Sequence, residues 1–424
     1  MGTSGVRACA INIQGEIMAF AEQSMPTLLN ETNRIIQDPN IWWNTTLSVL
    51  ESLFQDCDST KVNAISVDGT SGTVLVVDVD GTPLDTAFMY NDSSCIEQAQ
   101  QIAELAPKDC AVNNPSSALA KLLYLQHKHG HEIAFSLCQA SWISGKLSDT
   151  YIYTDQNNAL KMGYDVSHQT WPSWIKKLNP SLYQTLPCSV EPGTIIGQLT
   201  TGLKNLLRID SRVNIVAGTT DSIAALIASG ATKVGEGVTS LGSTLVLKLV
   251  SDKPLFDTDC GIYSHKLGSN WLVGGASNSG GAVLKHYFSL DEIQQLSKEL
   301  NPNQAQHRAY YPLISPGERF PVNNPLMSSG IPQYPKKDSV FLQSLLEGIA
   351  HIEKKGYEKL AELGAPYPSV VYSAGGGASN DKWTLIRQNL LGIPVKKASN
   401  EEAAYGTAIL ALKSVTNNTV YNRK

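Results

Sequence analysis

One carboxylate, that of Asp221, occupies a position from which a side chain could do acid–base chemistry. An apolar run over residues 213–217 leads into GTTDSIAALIASG, which begins at Gly218 and has the spacing of a helix that ends at Gly230. A glycine turn after a parallel strand exposes the next side chains at the carboxyl edge of the sheet, where open α/β sheets bind their ligands. The sequence therefore predicts Asp221 as a catalytic base. A helix cap is the alternative, because aspartate also accepts amide hydrogen bonds at helix N-termini.

Further glycine-rich turns have the composition of anion-binding loops. They are TSLGST at 239–244, AGGGASNDKW at 374–383 and an echo, GTSG, at 2–5. Small residues let backbone amides approach a ligand, and successive amides form a concave nest for phosphate oxygens. Taken singly, the turns at 2–5 and 239–244 are equally compatible with ordinary hairpins. Together they predict two similar lobes that hold a nucleotide in the crevice between them.

Composition limits the class of protein. A chain of 424 residues predicts two domains, and a net charge of −5 without a basic block excludes a nucleic-acid footprint and favours a small-molecule partner. Seven cysteines without a CxxC pair argue against a disulfide framework and for a reducing compartment. No apolar run reaches the roughly 18 residues of a membrane span, and no signal peptide is visible. We therefore expect a cytoplasmic protein, as a monomer or homodimer, that has no membrane partner.

Strand and helix patterns alternate along the chain, which is typical of α/β architecture. Residues 6–23 and 74–90 have the alternation of hairpins, with turns at 14–15 and 80–81. Apolar spacing predicts helices over 41–55, 116–129 and 339–364. The stretch 305–338, rich in proline, serine and asparagine, predicts a long surface excursion.

Eight motifs, taken in order, resemble those of the FGGY family of carbohydrate kinases, and the resemblance extends over nearly the whole chain. The motifs are GTSG at 2–5, DGTSGT at 68–73, NALKMGY at 158–164, AGTTDS at 217–222, SLGST at 240–244, GGASNSGG at 274–281, AGGGASNDKW at 374–383 and EEAAYGTA at 401–408. Within the family the chain is most similar to the small ketopentose kinases of cyanobacteria and chloroplasts, described as D-ribulose kinases or xylulokinase-like proteins. The resemblance implies the α/β actin-like ATPase fold of sugar kinases and actin, with two ribonuclease H-like lobes and a central cleft. We place the sugar-binding lobe at 1–228 and the nucleotide-binding lobe at 229–424.

The resemblance also implies roles for individual residues. Asp221 matches the catalytic base, which would take the proton of the attacking sugar hydroxyl. The other matched positions are Ser71, Gly72, Asn158 and Lys161 for the sugar, Thr3, Ser4, Gly242, Ser243 and Thr244 for the phosphates, and Gly375, Gly376, Gly377, Asn380 and Trp383 for adenine and ribose. Two alternatives stay open: Trp383 as a core aromatic and Lys161 as a solvated charge.

The implied reaction is phosphorylation of a terminal sugar hydroxyl by ATP with Mg²⁺, and the metal ligands stay unassigned. D-ribulose is the first expected substrate and D-xylulose the second, because DGTSGT departs from the Gln-Met-His-Gly signature of typical xylulokinases. A second departure is that family members open with a strand ending in an aspartate, whereas this sequence begins at Met1 and Gly2. We favour a start assigned a few codons late. A true start would instead suggest a weak kinase, or a non-catalytic ATP- or sugar-binding module.

Other chemistries have weaker support. The histidines of HKHGH at 127–131 lack a clear fourth metal ligand, although zinc usually needs three or four. SGKLS at 144–148 lacks the upstream glycine of a P-loop and a hydroxyl directly after Lys146. No GxSxG elbow is present, which argues against that class of hydrolase.

Overall fold

The computed structural model describes residues 1–26, 29–31, 34–108, 110–257, 259–305, 310–332 and 335–421. The described strands are β1 Gly5–Ile11, β2 Ile17–Ser24, β3 Leu29–Glu31, β4 Arg34–Gln37, β5 Ala64–Ser66, β6 Val74–Val77, β7 Ala87–Phe88, β8 Phe135–Cys138, β9 Tyr153–Asp155, β10 Cys188–Val190, β11 Ile195–Gln198, β12 Asn214–Val216, β13 Glu236–Leu241, β14 Leu245–Ser251, β15 Tyr263–Leu267, β16 Asn270–Ser277, β17 Val370–Ala374 and β18 Val395–Lys397. The described helices are α1 Pro39–Asp56, α2 Ile96–Ala103, α3 Ala118–His129, α4 Gln139–Ser148, α5 Gln156–Lys161, α6 Ser173–Leu178, α7 Pro180–Thr185, α8 Thr201–Leu207, α9 Asp221–Ser229, α10 Gly281–Tyr287, α11 Leu290–Ser297, α12 Ser339–Glu362, α13 Asp381–Leu391 and α14 Ala403–Tyr421. The mixed α/β class, the hairpins β1–β2 and β6–β7, and the helices α1, α3 and α12 confirm the sequence-based expectations.

The chain divides into two compact units, which are described separately. Unit 1 comprises Met1–Ala228 and Glu402–Lys424, and unit 2 comprises Ser229–Glu401. The sequence-based boundary placed all of 229–424 in the second lobe, whereas helix α14 packs on β1 and β5 of unit 1. Gly406 lets α14 also approach helix α9, because a Cβ on it would lie 1.8 Å from the carbonyl oxygen of Ala224.

The described residues of unit 1 form four small sheets, which pack around two apolar clusters. The strand orders are β3-β4-β7-β6-β8, β11-β12-β5, β1-β2 and β9-β10. All four residues of β6 are buried, and alternate side chains of a strand point to opposite faces. Leu75 and Val77 therefore join the cluster that includes α1 and α4, whereas Val74 and Val76 join the cluster that includes α3.

Unit 2 is built on one six-stranded sheet, in the order β15-β16-β14-β13-β17-β18. Strands β13, β17 and β18 are parallel, and β14, β15 and β16 are paired antiparallel. The long helix α12 packs on β14 and β16 and against α13. This arrangement brings the ends of β13 and β17, and therefore the two predicted glycine loops, to neighbouring positions.

A buried ion pair joins α12 and α13 beneath this sheet. The guanidinium of Arg387 donates to Glu353 through Nε at 2.6 Å and Nη2 at 2.7 Å, and both side chains are fully buried. Its Nη1 donates to Ser373 of β17, and Thr239 of β13 donates to Glu353 at 2.6 Å. The pair thus connects both helices to both strands that carry the glycine loops.

We expect Arg387→Met to destabilise unit 2, because Glu353 would keep a buried charge without its cation. Removing one partner of such a pair lowers the free energy of unfolding by about 3 to 5 kcal/mol. Urea denaturation of the variant measures this loss, and Lys382→Met on the same helix is the control, with an expected change within about 0.5 kcal/mol. Equal stability of both variants would contradict a structural role for the pair.

Candidate active site

Asp221 lies at the carboxyl edge formed by two parallel strands, β5 and β12. The strands pair Ala64 with Asn214 and Ser66 with Val216. The contact continues past their ends, where the amide of Gly69 donates to the carbonyl of Thr219 at 3.3 Å and the amide of Asp221 donates to the carbonyl of Gly69 at 2.8 Å. This extension fixes the backbone of Asp221 and confirms that it follows a strand and begins a helix.

Gly218 makes this close approach possible. A Cβ on Gly218 would lie 1.9 Å from the carbonyl oxygen of Val67, a distance that no side chain can occupy. The glycine predicted as a turn residue is therefore required by the packing of one backbone on another. Any larger residue would push apart the strand ends that position Asp221.

The carboxylate of Asp221 is half-buried and has one described hydrogen bond, from the amide of Ser222 at 2.7 Å. Burial, and to a lesser extent the negative charge of Asp68, raise its pKa to about 6, while the amino group of Met1 and the Ser222 amide oppose the shift. The carbonyl of Thr220 accepts the first helical bonds, from Ile223 and Ala224. Asp221 is therefore the first helical residue and not the cap that precedes it.

Asp68 is a second carboxylate at this edge, and the sequence reasoning missed it. It is 3% exposed and accepts a hydrogen bond from the hydroxyl of Thr407 on α14 at 2.6 Å. The amino group of Met1 also contacts this carboxylate. The sequence contains a pattern that could have identified it, because Asp68 follows an apolar strand and precedes a glycine turn, as expected for a residue at the edge of a sheet.

The turn of residues 70–73 carries two of the predicted sugar-binding residues, Ser71 and Gly72. The amide of Thr70 donates to Gln139 at 2.9 Å, and the hydroxyls of Thr70 and Thr73 are 2.6 Å apart. The hydroxyl of Ser71 is buried and has no protein partner in the described part of the chain. Beside it lies open space, since a Cβ on Gly72 would have no atom within 4 Å.

The short helix α5 carries the other two predicted sugar-binding residues. Asn158 is buried and donates to Asp155 at 2.6 Å, while its Oδ1 has no partner among the described residues. The neighbouring Asn157 donates to the hydroxyl of Thr219 at 3.0 Å, which joins α5 to the turn before Asp221. Lys161 is partly exposed at the end of the helix. The structure thus connects α5 and the turn of residues 70–73 to the Asp221 edge.

Thr3 and Ser4 lie in the turn before β1, also in unit 1. The amide of Gly2 donates to Gly5 at 3.0 Å, and the carbonyl of Ser4 accepts from Met25 at 2.8 Å. Ser4 is exposed and Thr3 is partly exposed. Their roles as phosphate-binding residues stay predictions.

In unit 2, the residues Gly242, Ser243 and Thr244 form the three-residue turn between β13 and β14. Two of their carbonyls bond to the start of helix α10, because the amide of Gly281 donates to the carbonyl of Gly242 at 2.8 Å and that of Ala282 to the carbonyl of Ser243 at 3.0 Å. The amides of the three residues have no acceptor among the described residues. A loop whose amides are not used by the protein can offer them to an anion.

Glu318 supports the turn behind this loop. It is 2% exposed and accepts from the hydroxyl of Ser277 at 2.5 Å, the amide of Asn278 at 2.8 Å and the hydroxyl of Tyr311 at 2.7 Å. The prediction of a surface excursion over 305–338 is therefore wrong for this part, since Phe320 is also fully buried. Residues 306–309 and 333–334 of that stretch lie outside the described residues.

The second glycine loop follows β17, where the amide of Gly375 donates to Glu401 at 2.8 Å and residues 376–379 form a single helical turn, with Gly376 and Gly377 at its start. Asn380 caps helix α13 by accepting from the amide of Trp383 at 3.0 Å, and its amide group donates to Ser297 at 2.9 Å.

Trp383 is 1% exposed, and its indole donates to the carbonyl of Leu346 at 3.0 Å. Its burial favours the alternative of a core aromatic over the predicted contact with adenine. Gly377 packs on the ring of Trp383.

The described residues contain no group of three histidine, cysteine, aspartate or glutamate side chains that could hold a metal ion. In HKHGH, the His129 ring lies 2.9 Å from Asp85, which also pairs with Lys128 at 2.6 Å. Of the three histidines, His129 is therefore explained by a local contact with Asp85. Within the same described residues, no helix is both long enough and apolar enough to span a bilayer.

Comparison with known proteins identifies the family. The model of the FGGY family of carbohydrate kinases, N-terminal domain, matches residues 1–228, and that of the C-terminal domain matches residues 237–415. A xylulose kinase of Staphylococcus xylosus is 23% identical, over 97% of this chain and 89% of that protein, and one of Escherichia coli K12 is 23% identical, over 97% and 88%. The solved structure of a xylulose kinase from Brucella ovis has a TM-score of 0.88 at 21% identity and covers 98% of this chain and 90% of that one. The predicted α/β actin-like ATPase fold with two lobes is thus confirmed, and the chain belongs to the FGGY family of carbohydrate kinases, enzymes that phosphorylate sugars with ATP.

Proposed function

We propose that this kinase phosphorylates the terminal hydroxyl of a ketopentose, with D-ribulose as the first substrate. The observation that carries the proposal is the Asp221 carboxylate at the β5–β12 edge, next to a turn in which the buried hydroxyl of Ser71 has no described partner. D-xylulose is the second candidate, because the relatives named above are xylulose kinases. The sequence DGTSGT, which differs from the typical xylulokinase signature, is the reason for placing D-ribulose first.

Asp221 is proposed to accept the proton of the attacking hydroxyl. With a pKa near 6, the carboxylate is ionised at neutral pH and yet more basic than an ordinary aspartate. Its backbone is fixed by the bond to Gly69, so the carboxylate is oriented before the sugar binds. General base catalysis of this kind contributes a factor of about 10² to 10⁴ in rate.

The sugar is proposed to satisfy polar groups that the protein leaves unpaired. The hydroxyl of Ser71 and the Oδ1 of Asn158 are buried without a described partner, and leaving such groups unpaired costs about 1 to 3 kcal/mol each. A polyol offers donors and acceptors at the required spacing, and a site that pairs a hydroxyl strongly rejects analogues that lack it. Lys161, which is partly exposed, is proposed to lie at the edge of this site.

In unit 2, the phosphates are proposed to bind the amides of Gly242, Ser243 and Thr244, and the nucleotide to lie along Gly375, Gly376 and Gly377. Thr3 and Ser4 of unit 1 stay predicted phosphate-binding residues. Mg²⁺ usually keeps several waters and binds through substrate phosphates and one or two carboxylates. It therefore does not require a group of three protein ligands, and the described residues contain no such group. When bound, the ion would neutralise phosphate charge, and we assign it no protein ligand. A cytoplasmic location and a monomeric or homodimeric state stay predictions.

A panel of substrates tests the proposal. We expect ADP release to be stimulated most by D-ribulose, then by D-xylulose, and least by L-ribulose and glycerol, since each unpaired group of the site must meet a hydroxyl of the sugar. A coupled assay of kcat/KM for each sugar is the measurement. A preference for D-xylulose would support the second candidate. ATP binding without any sugar-stimulated turnover would instead support a non-catalytic ATP- or sugar-binding module.

Asp221→Asn is expected to lower kcat by a factor of about 10² to 10⁴, because the amide cannot accept the proton. The dissociation constant of ATP should stay within about twofold, since the proposed base does not bind the nucleotide. Isothermal titration with ATP and steady-state kinetics with the sugar give the two values. The matched control is Asp210→Asn, at an exposed aspartate of the same unit, and turnover of Asp221→Asn at the control's rate would remove Asp221 from this role.

Asp68→Asn is expected to shift the acid limb of the pH–rate profile to lower pH. Asp68 raises the pKa of Asp221 by like-charge repulsion, and only the ionised form of Asp221 acts as the base. Removing the charge lowers that pKa, so activity should persist to a lower pH than in the wild type, while the amide oxygen still accepts from Thr407. A profile of kcat against pH for the wild type, Asp68→Asn and Asp210→Asn measures the shift. Coincident profiles would contradict the proposed interaction of the two carboxylates.

A further inference from the structure

Helix α3 carries a lysine, Lys121, whose side chain is fully buried. Its ammonium group donates to three main-chain carbonyls, those of Gly72 at 3.2 Å, Met89 at 2.7 Å and Tyr90 at 3.2 Å. An ammonium group has three donors and no acceptor, so the three carbonyls satisfy it completely. Burying a charge is costly even when it is paired, and an apolar residue would fill this position without that cost.

The three carbonyls belong to two neighbouring segments. One is the turn of residues 70–73, which contains Ser71, and the other is the loop at Met89 and Tyr90. The amide of Tyr90 also donates to the hydroxyl of Thr73 at 3.0 Å. Lys121 therefore bonds to both segments. In the turn of residues 70–73 it bonds to Gly72, which directly follows Ser71, the residue with the unpaired hydroxyl.

The charged surroundings of Lys121 are acidic. Asp92, which is fully buried, and Cys95 both favour its charged form, whereas burial, the larger effect, lowers the pKa of Lys121 to about 8. Asp92 is itself occupied by the amide of Ile35 at 2.6 Å and that of Ser94 at 3.0 Å. Burial raises the pKa of the Cys95 thiol, so Lys121 is the group of this cluster that titrates in mildly alkaline solution.

We propose that Lys121 is a positioning residue for the sugar: it holds the turn of residues 70–73 so that the Ser71 hydroxyl faces the substrate. It touches neither sugar nor ATP, and it acts through the main chain of Gly72. The proposal rests on the proposed function. It predicts an effect on the affinity for the sugar and none on the affinity for the nucleotide, whereas a purely structural lysine would affect both KM values or neither.

Lys121→Met removes the three donors and keeps the volume and the apolar stem. The test uses a sugar that the wild type turns over. In Lys121→Met we expect the KM for this sugar to rise about tenfold or more, because the turn loses its fixed geometry, while the KM for ATP stays within about twofold. Lys128→Met is the matched control, on the same helix and half-exposed, and should leave both KM values within about twofold. An unchanged KM for the sugar, or an equal rise in both KM values, would overturn the proposal.

The wild type provides a second test if Lys121→Met does not fold. Loss of one proton leaves two donors for three carbonyls, so the KM for the sugar should rise as the pH passes from about 7 to about 9, while the KM for ATP should not follow it. The Asp221 base is ionised throughout this range and does not contribute to the change. A KM for the sugar that is constant across this range would overturn the proposal.

Hydrogen exchange separates this proposal from the proposed function. If no sugar is turned over by the wild type, the proposed function fails, and the positioning role is then tested without activity. We expect the amides of residues 70–73 and 89–91 to exchange about tenfold faster or more in Lys121→Met and at the wild-type rate in Lys128→Met. Equal protection in both variants would overturn the positioning role.

Discussion

The close pairing of β5 and β12 beyond their formal ends is the constraint on which the candidate site depends. Gly218 lies so near the carbonyl of Val67 that only hydrogen fits in the place of a side chain. This contact lets Gly69 bond to both Thr219 and Asp221, and it brings Asp68 and Asp221 to one edge. The turn of residues 70–73 and helix α5 are joined to the same edge through Gly69 and Thr219. One backbone contact thus links Asp221, the turn of residues 70–73 and helix α5.

Each unit uses a buried charge to hold a loop proposed to bind ligand. In unit 1, Lys121 donates to three carbonyls around the turn of residues 70–73, and in unit 2, Glu318 accepts from an amide and two hydroxyls at the turn behind residues 242–244. Such groups contribute little net stability, because desolvation offsets most of the attraction. They fix geometry, since a fully satisfied charge allows few other arrangements of its partners. The same physical arrangement therefore supports the proposed sugar loop in one unit and the proposed phosphate loop in the other.

Features set by local sequence could be predicted, whereas features set by distant contacts could not. The edge position of Asp221 and the glycine loops follow from strand and turn patterns, and the family follows from ordered motifs. Lys121 and Glu318 bond to residues 49 and 41 positions away, so no local pattern marks them. Trp383 looked available because it follows a glycine loop, but its indole reaches Leu346, 37 positions away, in the core. The packing of helix α14 on unit 1 could not be predicted for the same reason, because its partners β1 and β5 lie near the start of the chain.

The two proposed ligand regions, one in each unit, differ in their electrostatic environment. Two carboxylates at one edge of unit 1 repel each other, which raises the pKa of Asp221 and would equally repel a nucleotide phosphate. Such an edge suits a neutral polyol whose hydroxyl must lose a proton. The turn of residues 242–244 in unit 2 has amides without described acceptors, which suit an anion and cannot act as a base. Proton acceptance and phosphate binding need opposite electrostatic environments, and the two proposed regions provide one each.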